Sequence, residues 1–303
     1  MTPLSQTSTG PQRNRPPNRC SLDPGPVGST KESHAMRIVV PVKHVPDIHS
    51  ERRFTEEGRV QRGAEHGTLN ELDENAIESA LQIVEALGTD QRNAHEVIVV
   101  TVGPADAESA LRKAFQLGAD TGIHVSDPAL AGSDVFGTAR ALAGAIRRIE
   151  HDGPVDLIIT GMAALDGLGS VIPSLLAAEL SLPQLTLATR LEVSDGMVEI
   201  TRDLDGITEV LTAPMPAVLS VTDHVNTPRY PNFTLIMAAR TKEITAWSLT
   251  DIDVSPQSVG DGAARTHVTK SEPRPPREQI PPVVDKGEGG LALAAYLIDN
   301  ELI

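Results

Sequence analysis

The chain has 303 residues, 40% of them hydrophobic, enough to close one large core or two modest ones. Its formal charge is -15 and Cys20 is its one cysteine, which excludes an internal disulfide, a thiolate metal cage and a CxxC redox pair. Any redox chemistry therefore needs a bound cofactor, and the acidity, with only seven aromatic residues to stack on bases, argues against a nucleic-acid partner.

Residues 1–35 are rich in Pro, Ser, Asn and Arg without periodicity and read as a disordered extension, lacking the amphipathic Arg pattern of a transit peptide. The acidity belongs to residues 36–303, which carry 22 basic and 39 acidic residues, or -17. No apolar run is long enough to span a membrane and no secretion pattern is present, so a cytoplasmic protein without membrane insertion is expected. From Met36 short apolar runs alternate with helical patterns: strands at 38–42, 96–102, 122–125 and 156–160, helices at 71–87, 105–117, 134–149 and 168–180. That rhythm predicts an open, mostly parallel, doubly wound α/β sheet, in which ligands sit beyond the carboxyl ends of the strands. After Pro183 extended pieces at 186–193, 197–201 and 207–212, separated by Asp195-Gly196 and Asp205-Gly206, predict an antiparallel extension. A strand at 217–221, irregular chain at 224–237 and a last strand at 244–247 complete a domain expected over 36–252. A flexible Pro/Gly/Ser-rich linker over 253–290 and a helical arm over 291–303, apolar enough to need another surface, are expected after it.

The chemistry-bearing motifs are mostly missing. There is no HExxH, no GxSxG and no carboxylate–His cluster with metal-ligand spacing, and Gly167-Leu168-Gly169 runs into Ser170-Val171 without the third glycine of a dinucleotide fingerprint. A hydrolase, a metalloenzyme and an NAD-dependent dehydrogenase are disfavoured, and no catalytic residue is assigned. Two loops fall where a doubly wound sheet binds ligands: Val102-Gly103-Pro104, and the stretch from Gly161 to Ser170, which leads into a helix N-terminus suited to phosphate. Read from spacing alone, the second is also an ordinary strand-to-helix turn, since it carries no lysine. Two prolines stiffen the stretch from Asn226 to Met237. Within it Phe233 reads as an exposed anchor, while Tyr230 and Met237 read as core filler.

Taken together these segments resemble the electron-transfer flavoprotein beta subunits, over roughly residues 36–247 and again in the terminal helix. The resemblance rests on Ile38-Val39-Val40-Pro41-Val42-Lys43, on Leu69-Asn70-Glu71-Leu72-Asp73, and on Val102-Gly103-Pro104 followed by Phe115-Gln116-Leu117-Gly118-Ala119-Asp120. It is completed by Arg202-Asp203-Leu204-Asp205-Gly206 through Glu209 to Pro216-Ala217-Val218, then Asn226-Thr227-Pro228-Arg229-Tyr230 and Ile236-Met237. It implies an adenine-nucleotide alpha-hydrolase-like sheet and a non-catalytic electron carrier paired with an alpha subunit that holds most of an FAD. Electrons are then expected from flavin dehydrogenases, such as acyl-CoA dehydrogenases of fatty acid oxidation, and go on to a quinone-linked oxidoreductase.

The resemblance also implies a site for AMP or a second FAD built from Pro41, Asn70, Glu71, Leu72, Asp73, Val102, Gly161, Asp166, Gly167, Leu168, Gly169, Ser170 and Val171. It implies a partner-docking set of Asn226, Pro228, Arg229, Tyr230, Phe233, Ile236 and Met237, a flavin-domain contact at Asp203, and a C-terminal arm laid on alpha. The chain departs from AMP-binding relatives at Leu168 to Ile172, where side-chain phosphate donors give way to backbone, and at Ala238 to Glu243, where a lysine-rich stretch is reduced. A free-standing adenine-nucleotide-binding regulatory protein is the alternative reading.

Overall fold

The structure, a computed structural model, describes residues 35–50, 53–63, 67–88, 94–272, 274–276, 282 and 284–303. The expected extension over 1–35 lies outside them except for Ala35. In chain order the elements begin with β1 (Arg37–Pro41), β2 (His44–Pro46), β3 (Gly67–Leu69), α1 (Glu71–Ala86) and β4 (Glu96–Val102). Next come α2 (Glu108–Leu117), β5 (Thr121–Val125), α3 (Val135–Glu150), β6 (Leu157–Gly161) and α4 (Ile172–Leu180). The remainder are β7 (Gln184–Ala188), β8 (Arg190–Ser194), β9 (Met197–Leu204), β10 (Ile207–Pro214), β11 (Ala217–Val221), α5 (Phe233–Thr241), β12 (Ile244–Trp247) and α6 (Gly289–Asp299).

Seven strands form one all-parallel sheet in the order β12-β5-β4-β1-β6-β11-β7. Its central strands read as near-continuous β-branched runs because both faces are covered: Ile38, Val39, Val40, Leu157, Ile158, Ile159, Val218 and Leu219 are fully buried. One core layer packs α1 and α2 against the sheet through Ala76, Ile77, Ala80, Leu81, Val84, Leu111 and Phe115. The other packs α3 and α4 through Leu142, Ile146, Ile149 and Leu176. The chain runs outward from β1 to β4 and β5, then returns to place β6 on the other side of β1, so the strand order reverses between β1 and β6. A crevice at the carboxyl ends of those two strands is the ligand position such sheets favour.

The antiparallel extension is a separate sheet of order β10-β9-β8. Its two hairpins turn at Asp195-Gly196 and Asp205-Gly206, all four residues with positive φ, the conformation two-residue loops need to match strand twist. The single extended piece expected over 186–193 divides in two: β7, irregular at Leu187 with its φ of 64°, stays in the parallel sheet through Ala188, and β8 begins at Arg190 in the antiparallel one.

Three further differences bear on function. The helix expected from residue 168 begins at Ile172, because Leu168 and Ser170 adopt left-handed φ of 49° and 52° and Pro173 favours the first turn. The irregular stretch expected over 224–237 ends in a helix, α5, whose N-cap Asn232 accepts from the Leu235 N–H. The packed chain also continues past Ile252: Val254 and Val259 are buried against the α3 layer, seven residues into the segment read as linker. At the other end of that segment α6 exposes Leu291, Leu293, Tyr296 and Ile298 and buries none of its residues.

Candidate functional site

At the reversal point the chain has few ways to satisfy its polar groups except on one another. Asn70, just ahead of α1, is fully buried. Its backbone N–H donates to the Lys43 carbonyl (2.9 Å), and its Nδ2 donates to Asp73 Oδ1 (2.9 Å) and to the Ala163 carbonyl (3.0 Å). Its Oδ1 accepts from the Leu165 N–H (3.0 Å). Asp73 Oδ2 accepts from the Lys43 N–H at 2.8 Å. Burial pushes the Asp73 carboxyl up to about 7, although the bonds from Asn70, Lys43 and Gly161 pull the other way. Gly161 must be glycine here, since a Cβ would lie 2.7 Å from Asp73 Oδ1 and from the Leu72 carbonyl. Asn70 and Asp73 together thus tie the end of β1, the start of α1 and the loop after β6 into a single crevice wall.

At the mouth stands Asp166, its side chain 1% exposed. Lys43 Nζ donates to its Oδ1 at 2.8 Å, and the Arg62 guanidinium donates to its Oδ2 through Nε (3.0 Å) and Nη2. Burial alone raises this carboxyl, but the two cations outweigh burial and hold it below the ordinary carboxylate range. Both cations are partly open to solvent, 43% and 32% exposed. Two positive groups against one carboxylate fit an anion arriving from outside.

The structure brings Pro41, Asn70, Leu72, Asp73, Gly161 and Asp166 together, with Val102 at the end of the adjacent strand β4. Glu71 points to solvent, and Gly167, Leu168, Gly169, Ser170 and Val171 form an exposed loop that follows the half-buried Asp166. The expectation that helix N–H groups over 167–171 offer phosphate donors meets two local differences. The Gly167 and Leu168 N–H groups already bond to the Ala164 carbonyl, and α4 starts later, at Ile172, with Pro173 in its first turn. The cations beside this loop are Lys43 and Arg62, both bonded to Asp166. Sequence reading missed them as partners of this loop because they lie over 100 residues away; the one signal was a lysine directly after the opening strand.

The second cluster lies further along α1. Asn226 Nδ2 donates to the Asn75 carbonyl (3.0 Å) and Ser79 Oγ (2.8 Å), while Asn75 Nδ2 donates back to Asn226. Arg229 grips Glu78 through Nε (2.7 Å) and Nη2 (3.1 Å), and Glu85 through Nη1 (2.7 Å) and Nη2 (3.0 Å). Glu78, 7% exposed, is raised by burial yet held low overall by Arg229. So Asn226 and Arg229 face inward onto α1, with Pro228 half-buried between them. Tyr230 is 93% exposed and Phe233 77%, and Met237 is also exposed, with Ile236 half-buried. Phe233 stands out as expected, but the core-filler reading of Tyr230 and Met237 is overturned: with the backbone stapled to α1 through polar groups, the aromatic rings are left on the solvent side. Asp203 is exposed on β9, accepting from Thr208 Oγ1 (2.5 Å) and Thr189 Oγ1 (3.3 Å).

A cavity of about 460 Å³ lined by Arg37, Glu96, Thr121, Arg148 and Trp247 opens at the amino ends of β1, β4 and β5, opposite the crevice. Its Arg37 is already committed to Glu96 and to the Ile149 and Gly153 carbonyls, and its Arg148 to Asp152 and the Trp247 ring. Among the described residues no His, Cys, Asp and Glu group is arranged to hold a metal, and no helix is long and apolar enough to cross a membrane.

Residues 58–252 match the family model described as electron transfer flavoprotein domain. The electron transfer flavoprotein subunit beta of Mycobacterium tuberculosis (strain ATCC 25618 / H37Rv) is 39% identical over 267 residues, 88% of this chain and 99% of that protein. The caffeyl-CoA reductase-Etf complex subunit CarD of Acetobacterium woodii is 34% identical over 236 residues, 78% of this chain and 87% of that protein. Protein FixA of Azotobacter vinelandii is 30% identical, covering 86% of this chain and 93% of its own length. Fold, motif order and relatives agree: the chain belongs to the electron transfer flavoprotein beta-subunit family.

Proposed function

We propose that the chain is the non-catalytic half of a heterodimer, in which it helps an alpha subunit hold FAD and presents the surface on which flavin dehydrogenases dock. The observation that carries this reading is the exposed pair Tyr230 and Phe233, two of only seven aromatic residues, standing on a segment whose backbone is pinned by buried polar bonds. An aromatic held out of the core at a cost in apolar exposure is what a partner pocket buries. FAD, when bound, supplies the electron storage; this chain's residues position it and the donor. Acyl-CoA dehydrogenases are the proposed electron donors and a quinone-linked oxidoreductase the acceptor, with Asp203 facing the flavin-bearing part of alpha.

Two further assignments belong to the same reading. The crevice between β1 and β6 takes AMP, or the adenylate half of a second FAD: Lys43 and Arg62 meet its phosphate, while the Asn70–Asp73 turn and Val102 line the crevice. The arm α6 covers part of alpha, which accounts for its four exposed apolar side chains.

The test is co-purification with the alpha subunit, followed by acid release of ligands. The reading expects stoichiometric FAD, a visible flavin band that bleaches when a reduced acyl-CoA dehydrogenase is added, and adenylate retained on beta. Adenylate bound to the chain alone, with no flavin in the presence of alpha, would favour a free-standing nucleotide-binding regulator instead.

A further inference from the structure

The docking segment is fastened at two ends, and the fastenings reach well beyond the residues that would meet a partner. At its entry Arg229 and Asn226 are bonded to α1. At its exit Arg112, on α2, donates from Nη1 to the Ala239 carbonyl (3.1 Å) and to the Lys242 carbonyl, the last turn of α5. Arg112 is itself held by Glu108 one turn back, through Nε (3.1 Å) and Nη2 (2.9 Å). Lys242 in turn donates from Nζ to the Ala119 carbonyl (2.7 Å) and lies 4.9 Å over the Phe115 ring. A guanidinium on the free carbonyls of a helix end both satisfies them and opposes the helix dipole.

Between the two fastenings the segment has almost no core of its own. Of the nine residues of α5 only Ala239 is buried, and α5 is too short to be stable in isolation. Apolar packing therefore does not hold Phe233 where it is; the polar staples at either end do. Both staples are charge-assisted and rest on helices of the main body, α1 and α2, whose apolar faces are in the core.

We propose that Arg112 and Arg229 are positioning residues for partner docking: they preorganise 226–242 so that Tyr230 and Phe233 meet the dehydrogenase without an ordering cost, and neither touches the partner. The inference rests on the docking role under Proposed function. It assigns Arg229 a different part from the partner-contact set to which its motif points, because its donors are spent on Glu78 and Glu85. Preorganised binding surfaces gain affinity by lowering the entropy lost on association, so loss of a staple weakens docking while electron transfer within the docked complex is unchanged.

The experiment is a double-mutant cycle in the FAD-loaded heterodimer, reading dehydrogenase-coupled flavin reduction. Arg229→Ala and Arg112→Ala are each expected to raise the apparent KM for the dehydrogenase about tenfold with kcat and FAD content unchanged. Amide exchange over 233–241 should accelerate while the central strands stay protected. The variants carrying Tyr230→Ala and Phe233→Ala as well should be no worse than Tyr230→Ala with Phe233→Ala alone, since a residue acting through those two rings has nothing left to position. If the effect of Arg229→Ala multiplies with that of the Tyr230→Ala and Phe233→Ala pair, Arg229 meets the partner directly and the inference is overturned. If Phe233→Ala alone leaves KM unchanged, it is the docking reading that fails. Should Arg229→Ala unfold the chain by stranding Glu78, the pair Arg229→Met with Glu78→Gln removes the staple without an unpaired buried charge, and the same cycle applies.

Discussion

At the first turn of α1 polar side chains turn inward and satisfy one another, whereas from its second turn onward the same helix holds a segment whose aromatic side chains turn outward. Asn70 and Asp73 lie almost wholly inside, and each of their polar atoms has a partner in the chain. Tyr230 and Phe233 lie almost wholly outside. The ordinary distribution is inverted in both places. What differs is where a covering partner must come from: the polar groups of Asn70 and Asp73 are satisfied within the chain, while the segment 226–237 exposes aromatic area that the chain itself does not cover. The two regions share α1 as a rigid spine, but a substitution should report on folding in one and on partner binding in the other.

The largest effect is expected where the crevice wall is tightest. Gly161→Ala drives a methyl into the Leu72 carbonyl and Asp73, backbone and buried carboxylate that cannot swing aside, and should cost about 3 kcal/mol of stability in chemical denaturation. An equally stable variant would mean that the start of α1 is free to shift. Removal of residues 285–303 should act in the opposite manner. The arm has no buried residue, so the melting temperature of beta should stay put while alpha is lost from the complex on a sizing column. Unchanged retention of alpha would break the comparison by showing that α6 is not an interface.

A subtler effect is the pH dependence of the crevice. Asp73 titrates near 7 in the folded chain against an ordinary 3.8, so between those values the native state binds a proton that the unfolded chain has released. Stability must then fall as pH rises through this window, by at most about 4 kcal/mol, and level off above it. Asp166 and Glu78, held low, contribute the opposite slope, lost as pH falls through the acid range. The difference between wild type and Asp73→Asn isolates the first slope: wild type should lose ground to the variant from pH 5 to pH 7, by denaturant midpoint.

Much of the architecture was legible because periodicity is local. β4, β11 and β12 fall on the expected residues, and the Asp-Gly pairs mark both hairpins. The short pair β2 and β3 was not legible, since three-residue strands carry no period. The start of α4 was misplaced for a physical reason: two non-glycine residues in left-handed conformation leave no signal in composition. In the site, Asn70, Asp73, Gly161 and Asp166 are brought together as the motifs implied. Lys43 and Arg62, and likewise Arg112, escaped notice because a long side chain reaching a carboxylate or carbonyl over 100 residues away has no sequence pattern. The direction of Tyr230 was misread because burial was inferred from residue type, while its backbone neighbours, fastened by Asn226 and Arg229, decide which way the ring points.

The central claim is that the exposed segment serves recognition and the buried crevice serves the fold and its nucleotide. One substitution tests it most directly. Phe233→Ala in the FAD-loaded heterodimer should leave the thermal melt and the flavin content as they are, and should raise the apparent KM for the dehydrogenase about thirtyfold, the loss expected for a central interface aromatic. A depressed melt with normal coupling per folded molecule would contradict the account, because it would make Phe233 part of the core and leave the chain without its docking surface.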